Sequence, residues 1–237
     1  MTAAELDAVK RYMILSNYSE GTIEKYLSCL KRYTTLDEYL EYLIELKPAT
    51  RQVYLSALKI YLKVSNQEHL ISKLPKVKQV ENFRDYKPIP LETFLHLHYD
   101  DIFHKLIVVF LAFTGLRRGE LLKLEWSDID LEEGFMLVER KGRKKQKLPI
   151  HPKLIPMLRA WKRVNQDKRV FPVSATTVWR IVKKYTDKYP HYLRGVFASV
   201  MGQKNLPATQ ILLGHKNIRT TMRYVRPDYS SLVEVLK

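Results

Sequence analysis

Apolar residues recur at spacings of three and four from residue 4 to about 64, the mark of helices that bury one face. Four helices are expected there, near 4–16, 20–33, 35–46 and 48–64. Ser19 suits the N-cap of the second, and Pro48 sits where a first helical turn tolerates proline. The periodicity then fails. "SNQEHLISKLPKVKQVENFRDYKPIP" is rich in Lys, Pro and polar residues, so roughly 66–88 reads as an extended linker. Beyond it, helices are expected near 90–97 and at 101–114, the latter strongly apolar and broken by Gly115, with a short helix from Arg117 to about Lys123. "FMLVER" and "KQKLPI" are β-like runs joined by the charged turn "KGRKK", a hairpin signal. After Pro152 the helical pattern returns, at about 153–164, 175–188, 191–202, 206–213 and 218–225. The expected fold is mainly α with one small β-hairpin or sheet, split into a helical part (1–66), a linker (67–88) and a larger mixed part (89–237).

Composition adds bounds. At 237 residues and 46% hydrophobic, the chain can bury a proper core. The longest apolar run, "LIVVFLAF" (106–113), is too short to span a bilayer. "MTAAELDAVK" lacks the apolar core of a signal peptide, and the single cysteine, Cys29, permits no internal disulfide. A soluble, cytoplasmic protein is expected. Charge changes the picture more. The net charge is +16, and residues 1–66 carry 9 basic against 8 acidic side chains while residues 67–237 carry 32 against 17. Such a surface suits a polyanion, because Lys and Arg displace condensed counterions along a phosphate backbone. Arg51, Lys59 and Lys63 make the fourth helix a candidate DNA-facing element, with a plain surface helix as the competing reading. The third helix is acidic (Asp37, Glu38, Glu41, Glu45) and reads as a solvated or partner-facing side. No basic amphipathic helix with a clean apolar face points to a membrane surface.

Candidate chemistry lies in the second part. "TGLRRGE" puts Arg117 at a helix start directly after a glycine break, with Glu120 three residues on and able to hold its guanidinium. "HYLRGVFASVM" puts His191 and Arg194 on one helix face by the same spacing. Near the C-terminus, "LLGHKNIRTTMRYV" offers His215 and, nine residues later, Tyr224. Fixed guanidiniums bind the non-bridging oxygens of a phosphorus centre bidentately. A tyrosine could attack that phosphorus, and a lysine on the hairpin could protonate the leaving 5′ oxygen. Taken singly, each feature reads as an ordinary surface group.

Taken in order, Arg117 in "TGLRRGE", Lys141 in the hairpin, "HYLR", "LLGH" and Tyr224 resemble the catalytic domain of the tyrosine recombinase, or phage integrase, family, Xer-like members above all, over about residues 90–226. By helix pattern the N-terminal part resembles that family's core-binding domain. The resemblance implies that Arg117 and Arg194 clamp the scissile phosphate, Tyr224 is the nucleophile, and Lys141 is the general acid. His191 and His215 would bond the phosphate and assist proton transfer, and Glu120 would orient Arg117. It further implies double-stranded DNA as partner, a 3′-phosphotyrosyl intermediate, a homo-tetramer on two DNA sites (monomer or dimer off DNA), and neither cofactor nor metal. Arg143, Lys144 and Lys145 are further candidates for DNA contact. The tail, 227–237, would dock on a neighbouring protomer, or back on its own.

Some features depart from the pattern. Gly195 stands where the family often has a second histidine, a supportive position. Lys144, Lys145 and Lys147 compete with Lys141, which is preferred because it directly precedes the turn glycine, Gly142. No arm-binding segment is expected ahead of residue 1, as in a minimal Xer-like enzyme. "HLHYDDIFH" (96–104) holds His96, His98, Asp100, Asp101 and His104 but fits no familiar metal spacing. Trp126, Trp161 and Trp179, like Tyr185, Tyr189 and Tyr192, are expected to be packing residues. Glycines in a P-loop arrangement are missing, so ATP is not expected. A type IB topoisomerase and a DNA-binding relative without catalysis are the other readings. Dimer resolution and integration or excision of a mobile element both stay open.

Overall fold

The computed structural model describes residues 1–77, 89–140 and 144–225. Lys141, Arg143, the tail 227–237 and most of the expected linker lie outside the described residues. The chain separates into two compact units, Met1–Asn82 and Phe83–Lys237.

In the first unit, α1 (Ala3–Leu15) opens with a capping box between Thr2 and Glu5, α2 (Glu20–Leu30) follows Ser19, α3 (Leu36–Ile44) is capped by Thr35, and α4 (Pro48–Val64) starts on its proline. Ser19 holds the N-cap position but makes no side-chain bond to the helix amides. Val9, Met13, Leu30, Leu43, Leu55, Leu58 and Leu62 form a core joined by Tyr33, Tyr39 and Tyr61. Two of these tyrosines keep their hydroxyls bonded: Tyr39 donates to the Cys29 carbonyl at 3.1 Å and Tyr61 to Glu5 at 2.9 Å. Two expectations change here. The extended segment does not begin at residue 67, because Glu68–Lys73 form a 3-10 helix and Leu74 is buried against this core. Arg51 does not face outward as a free cation. Its guanidinium donates to the carbonyls of Leu43, Ile44 and Leu46 at 2.8, 2.7 and 3.0 Å, closing the C-terminus of α3. Lys59 and Lys63 are exposed, Lys63 paired with Glu68 at 3.2 Å.

The second unit is organised on α5 (Ile102–Thr114), whose residues from Leu106 to Thr114 are all buried. Asp101 caps it, and Gly115, at φ 62°, ends it. A Cβ at Gly115 would lie 2.4 Å from Phe197, so both conformation and space demand glycine. Ahead of α5, the helix expected at 90–97 is a 3-10 helix of five residues, Leu91–Leu95, ended by the polar run that follows it. After α6 (Arg118–Leu122), β1 (Ile129–Asp130), β2 (Phe135–Glu139) and β3 (Lys145–Pro149) make an antiparallel sheet in the order β1-β2-β3, one short strand more than the expected hairpin. Helices α7 (Ile155–Val164), α8 (Ala175–Thr186), α9 (Pro190–Lys204), α10 (Leu206–Leu213) and α11 (Ile218–Met222) complete the unit. α9 packs on α5 through Leu193, Val196, Phe197 and Ala198, each buried. Trp126 and Trp161 are half-buried as expected, but Trp179 is 44% exposed on α8. No described helix is long and apolar enough to cross a membrane.

Candidate active site

Three chain breaks bring the candidate residues together. Gly115 turns the chain out of α5 so that Arg117 caps α6, Pro190 starts α9 with His191 and Arg194 in its first turns, and Gly214 turns the chain out of α10 into His215. Glu120 lies at the hub, 8% exposed. Its carboxylate accepts the Arg117 backbone N–H at 2.8 Å, Arg117 Nη1 at 2.7 Å and Arg140 Nη1 at 2.7 Å, with Arg194 Nη1 3.9 Å away. Burial pushes its acidity down, yet the Arg117 amide and the Arg140 and Arg117 guanidiniums outweigh burial and hold the carboxyl below its ordinary range. The group is an anion at neutral pH.

Arg194 is 1% exposed. Nη1 donates to the Gly115 carbonyl at 2.6 Å, and Nη2 to the Leu213 carbonyl at 2.7 Å and to His215 Nε2 at 2.9 Å. Nε has no hydrogen-bond partner among the described residues. Burial, then the charge of Arg117, push the guanidinium down to about 10, which leaves it protonated at neutral pH. Because arginine only donates, His215 Nε2 must accept, and the ring proton sits on Nδ1, which lies 2.9 Å from Thr221 Oγ1. Burial, followed by Arg194, Arg117 and Arg140, pushes His215 down to about 4, so the ring is neutral.

Tyr224 follows α11, its hydroxyl 3.3 Å from His191 Nε2 and its ring nearly parallel to that of His215, 15° apart with centroids at 6.2 Å. Arg117, Glu120, Arg194, His191, His215 and Tyr224 thus meet in one place. Of the hairpin candidates, Lys144 lines the cleft beside Arg117, Arg140 and His215, whereas Lys145 turns to the Asp128 carboxylate, which raises its affinity for a proton.

Arg140 was not among the expected site residues. It donates to Glu120, to the Leu212 carbonyl at 2.6 Å and, through Nε, to Gln146 at 3.0 Å. A Cβ at Gly214, itself at φ 63°, would lie 2.8 Å from Arg140 Nε, so the guanidinium packs flat against the turn that carries His215. One signal could have found it. Met136 and Val138 are the buried positions of β2, and Arg140 continues that inward alternation with a charge. The cluster "HLHYDDIFH" serves packing: Asp101 caps α5, Asp100 pairs with Lys184, and His104 lies 3.1 Å from the Tyr185 hydroxyl. No group of three or more His, Cys, Asp or Glu that could hold a metal is found among the described residues.

Three guanidiniums around one carboxylate leave an excess of positive charge beside a tyrosine hydroxyl, a setting that can receive a phosphodiester and attack it. The model of the phage integrase family matches residues 91–231. The chain is similar to the tyrosine recombinase XerA of Pyrococcus furiosus, 30% identical over 98% of this chain and 92% of that protein. The tyrosine recombinase XerC of Xanthomonas axonopodis pv. citri is 33% identical over 69% of this chain, but that match spans only 58% of the relative. Among solved structures, a lambda integrase dimer bound to a COC′ core site shares the fold with a TM-score of 0.72 at 19% identity, covering 93% of this chain and 97% of that one. The crystal structure of XerA recombinase gives 0.56 at 22% identity, covering 99% and 97%. The chain belongs to the phage integrase family, the tyrosine recombinases, enzymes that cleave and rejoin DNA.

Proposed function

We propose that this chain is a site-specific recombinase whose Tyr224 hydroxyl attacks the scissile phosphorus of double-stranded DNA. In that step the Tyr224 O–P bond forms and the bond from phosphorus to the 5′ oxygen breaks. The DNA is left joined to the protein through its 3′ phosphate, and attack by a 5′ hydroxyl on that linkage rejoins it without an external energy source. Arg117 and Arg194 take the non-bridging oxygens, and Glu120 holds Arg117 in place. His191, whose Nε2 lies 3.3 Å from the Tyr224 hydroxyl, receives the tyrosine proton, while neutral His215 supports the phosphate side. Lys141 protonates the leaving 5′ oxygen.

The observation that carries this reading is the charge balance of the cluster around Glu120. One carboxylate, Glu120, stands against Arg117, Arg140 and Arg194, and an arriving phosphate supplies the missing negative charge. The first unit acts as the core-binding DNA module and the second as the catalytic module. Two DNA sites are brought together by a homo-tetramer, for dimer resolution or for integration and excision of a mobile element. The test is adduct mapping. Incubation with site DNA should give a 3′-phosphotyrosyl adduct at Tyr224 by mass spectrometry. Tyr224→Phe should remove the adduct and leave DNA binding intact. A linkage found on another residue defeats the assignment.

A further inference from the structure

Val225, next to the tyrosine, occupies space that a side chain on α9 would otherwise fill. Gly202 lies in α9 near its C-terminal end, where any residue but proline would favour the helix more. A Cβ built on Gly202 would stand 2.2 Å from Val225 Cγ2 and 3.5 Å from Val225 Cβ. Carbon atoms at rest stay about 3.5–4.0 Å apart, so a methyl group at 202 would displace Val225 Cγ2 by more than about 1 Å. Gly202 is buried, and its missing side chain forms a notch that Val225 fills.

The same helix holds the tyrosine at its other end. The Tyr224 hydroxyl reaches His191 Nε2, and His191 lies in the first turn of α9, whereas Gly202 lies in the last. At about 1.5 Å rise per residue, these two positions are roughly 16 Å apart on one rigid rod. Adjacent residues 224 and 225 are therefore tied to both ends of one element, Val225 by shape and Tyr224 by its hydroxyl. Backbone bonds from Tyr224 N to the Thr221 carbonyl (3.0 Å) and from Val225 N to the Met222 carbonyl (3.2 Å) tighten the turn between α11 and this segment.

We infer that the Gly202 notch is the seat that sets the reach of Tyr224, and that Val225 is a positioning residue for the nucleophile. The inference rests on the reading of Tyr224 as that nucleophile. Its chemistry is positional: a reacting atom misplaced by about 1 Å can cost on the order of 100-fold in rate. Binding of the DNA does not pass through the notch and should be untouched.

The experiment compares the parent chain with Gly202→Ala, Val225→Ala, the double variant and Tyr224→Phe. The probe is a nicked duplex recovered from a random-sequence library by covalent capture on the parent. Gel shifts report binding, single-turnover reactions at saturating duplex report covalent-complex formation, and circular-dichroism melts report the fold. Gly202→Ala should slow covalent-complex formation by about 10- to 100-fold with parental binding and melting. Adding Val225→Ala, which vacates the space the new methyl needs, should bring the rate most of the way back, a rescue that a simple loss of fold does not produce. A parental rate in Gly202→Ala overturns the inference, as does a double variant that melts and binds normally yet stays slow. Joint loss of binding and melting in Gly202→Ala overturns it too, since Gly202 would then serve the fold. A persistent adduct in Tyr224→Phe removes the nucleophile itself. Loss of the adduct there beside a parental rate in Gly202→Ala sinks only the notch.

Discussion

Arg194→Ala separates two jobs that one buried side chain performs. The guanidinium is 1% exposed and joins the end of α5, through the Gly115 carbonyl, to the end of α10, through the Leu213 carbonyl, while Nη2 also fixes the His215 tautomer. Truncation leaves two carbonyls short of donors, at about 1–3 kcal/mol each, and removes a buried charge whose desolvation is itself unfavourable. The net loss of stability in the second unit should therefore be only about 1–4 kcal/mol. Catalysis should suffer more. Losing one preorganised donor to a developing oxyanion typically costs about 100- to 1,000-fold, and here the charge goes as well. Covalent-complex formation, measured in single turnover at saturating DNA and at a temperature well below the variant's melt, should fall at least that far. A methylphosphonate at the scissile position removes one negative oxygen, so the deficit of Arg194→Ala against the parent should shrink on that substrate. A folded variant that cleaves within a few-fold of the parent on the ordinary phosphate refutes the clamp.

Four further outcomes are expected. His215 is held down to about 4 in the fold against an ordinary value near 6.5, so the unfolded chain takes up its proton first as pH falls. Stability of the second unit should be full above pH 6.5 and decline towards pH 4 by up to about 3 kcal/mol, and His215→Asn should flatten that slope in pH-dependent melts. Cleavage should persist in excess EDTA without nucleotide, because guanidiniums supply the positive charge; loss on chelation restored by Mg²⁺ or Zn²⁺ contradicts this. Lys141→Ala should slow cleavage of ordinary DNA but recover on a 5′-bridging sulfur substrate, since a thiolate leaves unprotonated; recovery of Lys144→Ala or Lys145→Ala instead reassigns the acid. Deleting residues 228–237 should leave single-site binding nearly unchanged and impair two-site assembly and exchange, and full exchange in the truncated chain on native gels and recombination assays rules out the tail as the coupling element.

Where local rules decide, the sequence was readable. α4 begins and ends where periodicity and Pro48 put it, and α10 spans Leu206–Leu213 as expected, between the prolyl start and Gly214. The i, i+3 pairing of Arg117 with Glu120 also forms as spacing suggests, at 2.7 Å. What stayed hidden depends on long-range partners. Arg51 sits on the same helix as Lys59 and Lys63, and nothing in a 3.6-residue period says that three carbonyls at the end of α3 consume its donors. Arg140 was masked by the basic run that follows it, although its partners, Glu120 and Leu212, lie on two other elements. Trp179 was expected among packing residues because tryptophan usually is, but α8 buries Val178, Ile181 and Val182 instead and turns the indole out.

Glu120 explains how three guanidiniums stay crowded. Like charges in a buried pocket repel, and the shift of Arg194 down to about 10 registers that repulsion beside the effect of burial. A second carboxylate would neutralise the set more fully, but it would also compete with an incoming phosphate for the same donors. One carboxylate bonded to Arg117 and Arg140 and standing 3.9 Å from Arg194 holds the geometry and leaves the site short of negative charge. Arg117, 43% exposed at its side chain, keeps part of its guanidinium open to solvent. Natural chains accept such local costs where function requires them. A dianionic phosphorus centre would relieve the shortage most when its charge is greatest, at the transition state, which is where stabilisation becomes rate. Replacing Arg140 by methionine would leave Glu120 paired to Arg117 alone and reduce that excess by one charge, so the cluster should tolerate the loss in the free protein better than in the reaction.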